Sequence, residues 1–234
     1  MTDTPGPLDF VLAFGFLAAI TYEWIFPALR SRRIAYAGNI VILWTLTAGV
    51  AALWLATHRP WSLLFLGPVV WWRFSLGCVF FILFLFVGLR DRRVAQRHPQ
   101  ALAKIAQSLR SVKWMMPVTP AHLRWWIAVS VTAGITEEFL CRGFLLSLVA
   151  HYAGLPAAVV ACALIFGVGH GYQHPKNILP TAAYGFGLTV VILISGSLLP
   201  AMAIHVAQDY FAGELAYFSL RTTKPAGLNE VKNG

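Results

Sequence analysis

Apolar residues in this chain neither alternate nor keep to one helical face; they run. Seven stretches of about 20 mostly apolar residues lie near 9–29, 39–57, 62–89, 123–150, 156–174, 177–195 and 198–220, and each has the length a helix needs to cross a hydrocarbon core of roughly 30 Å. The pattern predicts an all-α, polytopic transmembrane helix bundle of seven or eight spans. A different pattern occupies Arg90 to Lys113, where apolar residues recur at helical spacing between basic ones. It predicts a basic amphipathic helix lying along the membrane surface, against anionic lipid.

Composition supports the bilayer reading. Of 234 residues, 58% are hydrophobic and only 12% charged, outside the range of soluble domains. The formal net charge of +9 does not point to nucleic acid, because the bases keep to alternate loops. Fifteen of the 18 Lys and Arg residues fall after spans one, three, five and seven, including Arg30, Arg32, Arg33, Lys176, Arg221, Lys224 and Lys232. Arg59 lies on the other side, while Arg73 and Arg142 are expected inside spans three and four. The bias places the N-terminus outside and the C-terminus in the cytoplasm, in a multi-pass protein of the plasma (inner) membrane. No basic region or small-residue cleavage site marks the first span as a signal peptide, so it is expected to be retained.

The chain reads as one transmembrane domain over 1–234. Residues 1–122 hold packing spans and the basic segment, 123–220 the helices that carry chemistry, and 221–234 a cytoplasmic tail. Cys78, Cys141 and Cys162 sit in apolar spans without CxxC spacing and read as small buried hydrophobes.

In the last four spans charged and imidazole groups enter the bilayer. Span four carries Thr136-Glu137-Glu138-Phe139-Leu140-Cys141-Arg142, and an ionisable group at mid-membrane costs about 2.5–3.5 kcal/mol on insertion scales. Glu138 and Arg142, four apart, share a face and can neutralise one another. Glu137 points about 100° away with no local counter-ion, which makes it the candidate general base. Span five ends Phe166-Gly167-Val168-Gly169-His170, with glycines that let neighbouring backbones close in and leave space around the imidazole. Span seven carries His205 and Asp209 on one face, where the carboxylate can orient the ring. Counted from the span edges at 1.5 Å per residue, Glu137 and His205 both lie about 21 Å from the cytoplasmic side, but His170 only about 9 Å.

Glu-Glu-x-x-x-Arg, Phe-x-x-x-His and His-x-x-x-Asp, in that order over residues 137 to 209, resemble the signature of the CPBP family, which comprises the CAAX prenyl endopeptidases and the bacteriocin-processing (Abi) proteins. The resemblance implies a glutamate-dependent intramembrane endopeptidase acting on a membrane protein or peptide substrate. Glu137 would activate the attacking water, His170 would orient it, and His205 with Asp209 would stabilise the oxyanion. Glu138 and Arg142 would brace the helix. The eukaryotic CAAX endopeptidases usually have Asn where Asp209 stands.

This reading requires no cofactor. The nearest alternative is a zinc-dependent intramembrane metalloprotease, since Glu137, His170, His205 and Asp209 are acceptable ligand types, although using all four closes the site and no HExxH pair occurs. A cysteine protease built on Cys141 is disfavoured by the nearby carboxylates. A transporter or membrane chaperone could hold the same buried groups without enzymatic activity.

Overall fold

The computed structural model describes residues 4–25 and 31–222, and within them every regular element is helical. Part of the first span, the first loop's Arg30, and the tail with Lys224 and Lys232 lie outside the described residues. The helices are α1 (Pro7–Ile25), α2 (Arg32–Ala56), α3 (Trp71–Arg97), α4 (Pro99–Ser108), α5 (Pro120–Glu137), a π-helical segment (Glu138–Leu145), α6 (Leu146–Gly169), α7 (Ile178–Ser195) and α8 (Leu199–Thr222). Among the described residues, Arg32–Ala56, Trp71–Arg97, Pro120–Gly169 and Pro175–Ser195 are long and apolar enough to cross a membrane, and Pro7–Thr21 is a shorter apolar helix. The molecule is therefore a polytopic helical bundle.

Pro120–Gly169 is not one rod. At Gly154 the backbone adopts φ 79° and ψ 161°, a conformation open to glycine and strained for any residue with a Cβ. Pro156 follows, suited to the first turn of a new helix. In a straight helix Cys141 and Cys162 would stand about 32 Å apart. Instead each thiol reaches the other's carbonyl, at 3.8 and 3.6 Å. The chain reverses at Gly154, and the two arms form an antiparallel hairpin.

Span three starts later than its apolar run suggests. Residues 61–64 form a short 3-10 turn and Phe65 turns left-handed (φ 54°), because Pro60, Gly67 and Pro68 bar a helix there. The stretch is anchored at two points: Leu64 is fully buried and the Phe65 carbonyl accepts from Leu198 N at 3.1 Å. As a result Arg73, expected inside a span, lies in the first turn of α3. Its guanidinium donates to the Ile194 and Leu193 carbonyls at the end of α7, at 2.9 and 2.5 Å, completing acceptors that the helix terminus leaves open.

The basic segment is also divided. Arg90 to Arg97 belong to α3, and only α4 and a 3-10 turn at Arg110–Val112 follow. The apolar side of this region faces protein: Val112 and Met116 cluster with Tyr36, Trp126, Ala216 and Leu220, with Ala106 and Leu109 packed against them, and Leu102 is buried. Arg90, Arg93, Arg97, Lys104, Arg110 and Lys113 are exposed, whereas Arg92 is ion-paired to Glu214 of α8 at 2.6 Å.

Two ends of the bundle can be told apart. At one, Arg32 donates to the Met116 and Lys113 carbonyls, at 3.1 and 2.9 Å, and residues 108–112 share a groove with Gln173, His174 and Lys176. At the other, Asp9 and Arg59 form a buried two-point ion pair at 2.6 and 2.9 Å. The start of α2, the 108–116 segment and the α6–α7 loop thus meet at one end, and all three carry basic residues.

Candidate active site

The hairpin explains how Glu137 and His170 come together. One precedes Gly154 by seventeen residues and the other follows it by sixteen, so the turn sets them at matching levels. The 9 Å depth reckoned for His170 fails because span edges were the wrong ruler; the turn is the right one. Both side chains line the same two adjoining cavities. The first, of about 70 Å³, lies among α1, α2, the end of α5 and α6. The second, of about 180 Å³, includes Tyr36, Trp126, Gln173 and Asp209.

Directly after Glu137 the helix widens. Leu146 N–H reaches back five residues to the Cys141 carbonyl, and all eight residues of the π segment are buried. Such widened turns are rare and concentrate at functional sites. Glu137 is left at the end of α5, partly open to both cavities and without a hydrogen bond or ion pair among the described residues. Glu138 has the opposite fate. Its Oε1 accepts from Arg142 Nη1 at 2.7 Å and from His205 Nδ1 at 2.8 Å, and Glu138 and Arg142 are both 0% exposed. The bracing pair expected from their spacing is present.

Arg142 occupies a box built for it. Its guanidinium carbon stands 4.0 Å from the Phe166 ring centroid, a cation–π distance. A Cβ at Gly185 would come within 2.6 Å of its Nη2. Gly134 does the same for α8: an added Cβ would stand 2.6 Å from Val206 N, so its absence lets α8 close on α5 next to His205. Trp126 Nε1 fixes the same contact lower down, donating to the Asp209 carbonyl at 2.8 Å. At the hairpin's second arm Gly167 passes tightly by α7, with no room for a Cβ against the Ile178 carbonyl.

The two histidines are held differently. His170 Nδ1 stands 2.8 Å from the Phe166 carbonyl, which can only accept, so Nδ1 carries the proton and Nε2 keeps a lone pair. His205 is 2% exposed, and its Nδ1 must donate to the Glu138 carboxylate. Asp209 lies 3.7 Å from His205 Nε2, beyond hydrogen-bond distance. The orienting contact assigned by spacing to Asp209 is therefore made by Glu138, 67 residues away in sequence. His205 does not line either cavity, while Asp209 lines the second.

Sequence reasoning left the first three spans without a part in the site, but α2 contributes to it. Tyr36 and Asn39 line the second cavity and Asn39 also lines the first. A single Asn in an apolar run was the available signal. As for a metal, no group of three or more His, Cys, Asp or Glu side chains among the described residues is placed to hold one. The four residues named as zinc ligands are not gathered as a ligand set.

Long apolar helices around a buried cluster of acids, imidazoles and one guanidinium define a membrane-embedded protein with the polar groups of a hydrolase. Residues 119–211, from the N-cap of α5 into α8, match the family described as type II CAAX prenyl endopeptidase Rce1-like, a match that spans all three motifs. The match supports a hydrolase of the CAAX-protease type, a class that acts on membrane-associated proteins or peptides. No curated protein and no solved structure matches the chain.

Proposed function

We propose that the protein is an intramembrane endopeptidase in which Glu137 and His170 hold and activate the attacking water. The observation that carries this is their shared cavity, with Glu137 unpartnered and His170 presenting a lone pair at Nε2. A water between them donates one hydrogen to each. Its oxygen attacks the scissile carbonyl carbon as Glu137 takes the proton, and Glu137 then delivers that proton to the leaving nitrogen as the C–N bond breaks. The tetrahedral oxygen needs a donor. His205 supplies it from Nε2 when doubly protonated, with Glu138 on Nδ1 and Asp209 close by, a position that requires a small inward movement of the ring on substrate binding.

The same reading assigns seven crossings: α1, α2, α3, α5 with the π segment and residues 146–153, residues 155–169, α7 and α8. The hairpin at Gly154 supports counting Pro120–Gly169 twice. The basic end faces the cytoplasm, as the charge bias requires, and the six exposed bases of residues 90–113 contact anionic headgroups.

Glu137→Gln tests the central claim, because it keeps size and hydrogen bonding and removes the base. Loss of at least 10²-fold in cleavage by reconstituted protein is expected, with thermal stability unchanged. Retention of more than about a tenth of the wild-type rate defeats the assignment. Chelator treatment of the purified protein, expected to leave cleavage intact, separates this mechanism from the zinc alternative.

A further inference from the structure

Asn39, the eighth residue of α2, lines both cavities together with Glu137, His170 and Tyr172. Its Oδ1 is buried and has no hydrogen-bond partner. The neighbouring polar group of α2 is spent elsewhere: the Tyr36 hydroxyl donates to the Met115 carbonyl at 2.5 Å. Apart from Glu137, Cys141, His170 and Tyr172, the first cavity is walled by residues such as Gly38, Ile42, Leu43 and Phe16, whose side chains cannot satisfy an amide.

A buried polar atom without a partner is costly compared with an apolar side chain of similar shape. Such a group is expected to meet its partner in another state of the protein. A carboxamide offers a donor and an acceptor in one plane, which matches the C=O and N–H of a peptide unit. Substrate backbone around a bond about to be cut cannot be helical, and in a water-poor bundle its freed groups must find protein partners.

We propose that Asn39 is a substrate-positioning residue, whose carboxamide hydrogen-bonds a peptide group of an extended substrate segment beside the scissile bond. The inference rests on the peptidase reading above and adds that the α2 wall, outside the region matched to the family, reads substrate backbone. It places Asn39 in binding and alignment and assigns it no part in proton transfer.

The test uses the full-length protein in detergent or proteoliposomes with a cleavable membrane peptide and a series of analogues, each with one backbone amide replaced by an ester. In wild type, one ester position next to the cleaved bond should lower kcat/KM about tenfold, the scale of one lost hydrogen bond (1.4 kcal/mol per tenfold). In Asn39→Leu, kcat/KM for the all-amide peptide should fall by a similar factor, mainly through KM, and the ester at that position should have no further effect. Thermal stability of Asn39→Leu should equal or exceed wild type, since an unsatisfied amide has been removed. Should that variant fold poorly, Asn39→Ser, smaller and still polar, carries the same ester comparison. An identical ester profile in wild type and variants, or a lower melting temperature with unchanged kcat/KM, overturns the inference and leaves the peptidase reading standing. Absence of cleavage by wild type removes that reading and this inference with it.

Discussion

His170 and His205 have the same side chain and opposite surroundings, and their partners decide what each can do. A backbone carbonyl fixes the proton of His170 on Nδ1, so the ring faces its cavity as an acceptor. A carboxylate holds His205 from behind, so this ring is suited to donate. Asp209, at 3.7 Å, adds negative charge near His205 without anchoring it. Asp209→Asn should therefore keep proteolysis within about tenfold of wild type, because one neutral hydrogen-bonding group replaces a carboxylate that makes no direct bond to the ring. Initial rates on a membrane peptide measure this. A variant that is dead and then rescued by added zinc would instead establish Asp209 as a metal ligand. The sequence made the identities of these residues legible through spacing, as with Glu138 and Arg142. It could not reveal that Glu138 also holds His205, because that contact joins helices 67 residues apart and leaves no local pattern. Asn39 was hidden for a similar reason: one polar residue in an apolar run has no periodicity to announce it.

At the level of elements, the π segment and the Gly154 hairpin determine which groups meet. Glu138 serves two cationic or imidazole partners in a space with no exposure to water. Glu138→Gln leaves Arg142 as an uncompensated buried charge and should destabilise by about 3–5 kcal/mol. Glu138→Gln combined with Arg142→Gln should melt at a higher temperature than Glu138→Gln alone, because the stranded charge is gone. Strictly additive losses in detergent melts would show that the pair is not coupled. Gly154→Ala puts a Cβ on a glycine-only conformation and should cost about 1–3 kcal/mol. Its more telling effect is on register, since a relaxed turn moves Glu137 and His170 out of step. Cleavage should then fall by more than the stability loss explains, measured at a temperature where the variant remains folded. The apolar runs gave the helices and a break between residues 150 and 156, within which the structure places the turn at Gly154. The depth of His170 stayed hidden because register depends on where the chain turns, which edge-counting of apolar residues does not reveal.

Across the whole molecule, the distribution of basic residues sets orientation. Arg32, Lys113 and Lys176 belong to segments that meet at one end of the bundle, and the exposed bases of α3 and α4 extend that end. At the far end Arg59 is neutralised by Asp9, and Arg73 is bound to carbonyls, so neither presents an unpartnered charge equivalent to those opposite. A membrane potential and anionic lipid both favour the basic end inside. The proposed seven crossings would put both the 90–113 segment and the C-terminus in the cytoplasm and the N-terminus outside. A reporter active only outside the membrane should be silent when fused at Gly234 and active when placed before Pro7. Activity at Gly234 with silence at the N-terminus would invert the protein, and matching signals at both ends would mean an even number of crossings. Either result moves the mouth of the cavity bounded by Gln173 and Asp209 to a different face or depth, and with it the side from which a substrate segment reaches Glu137.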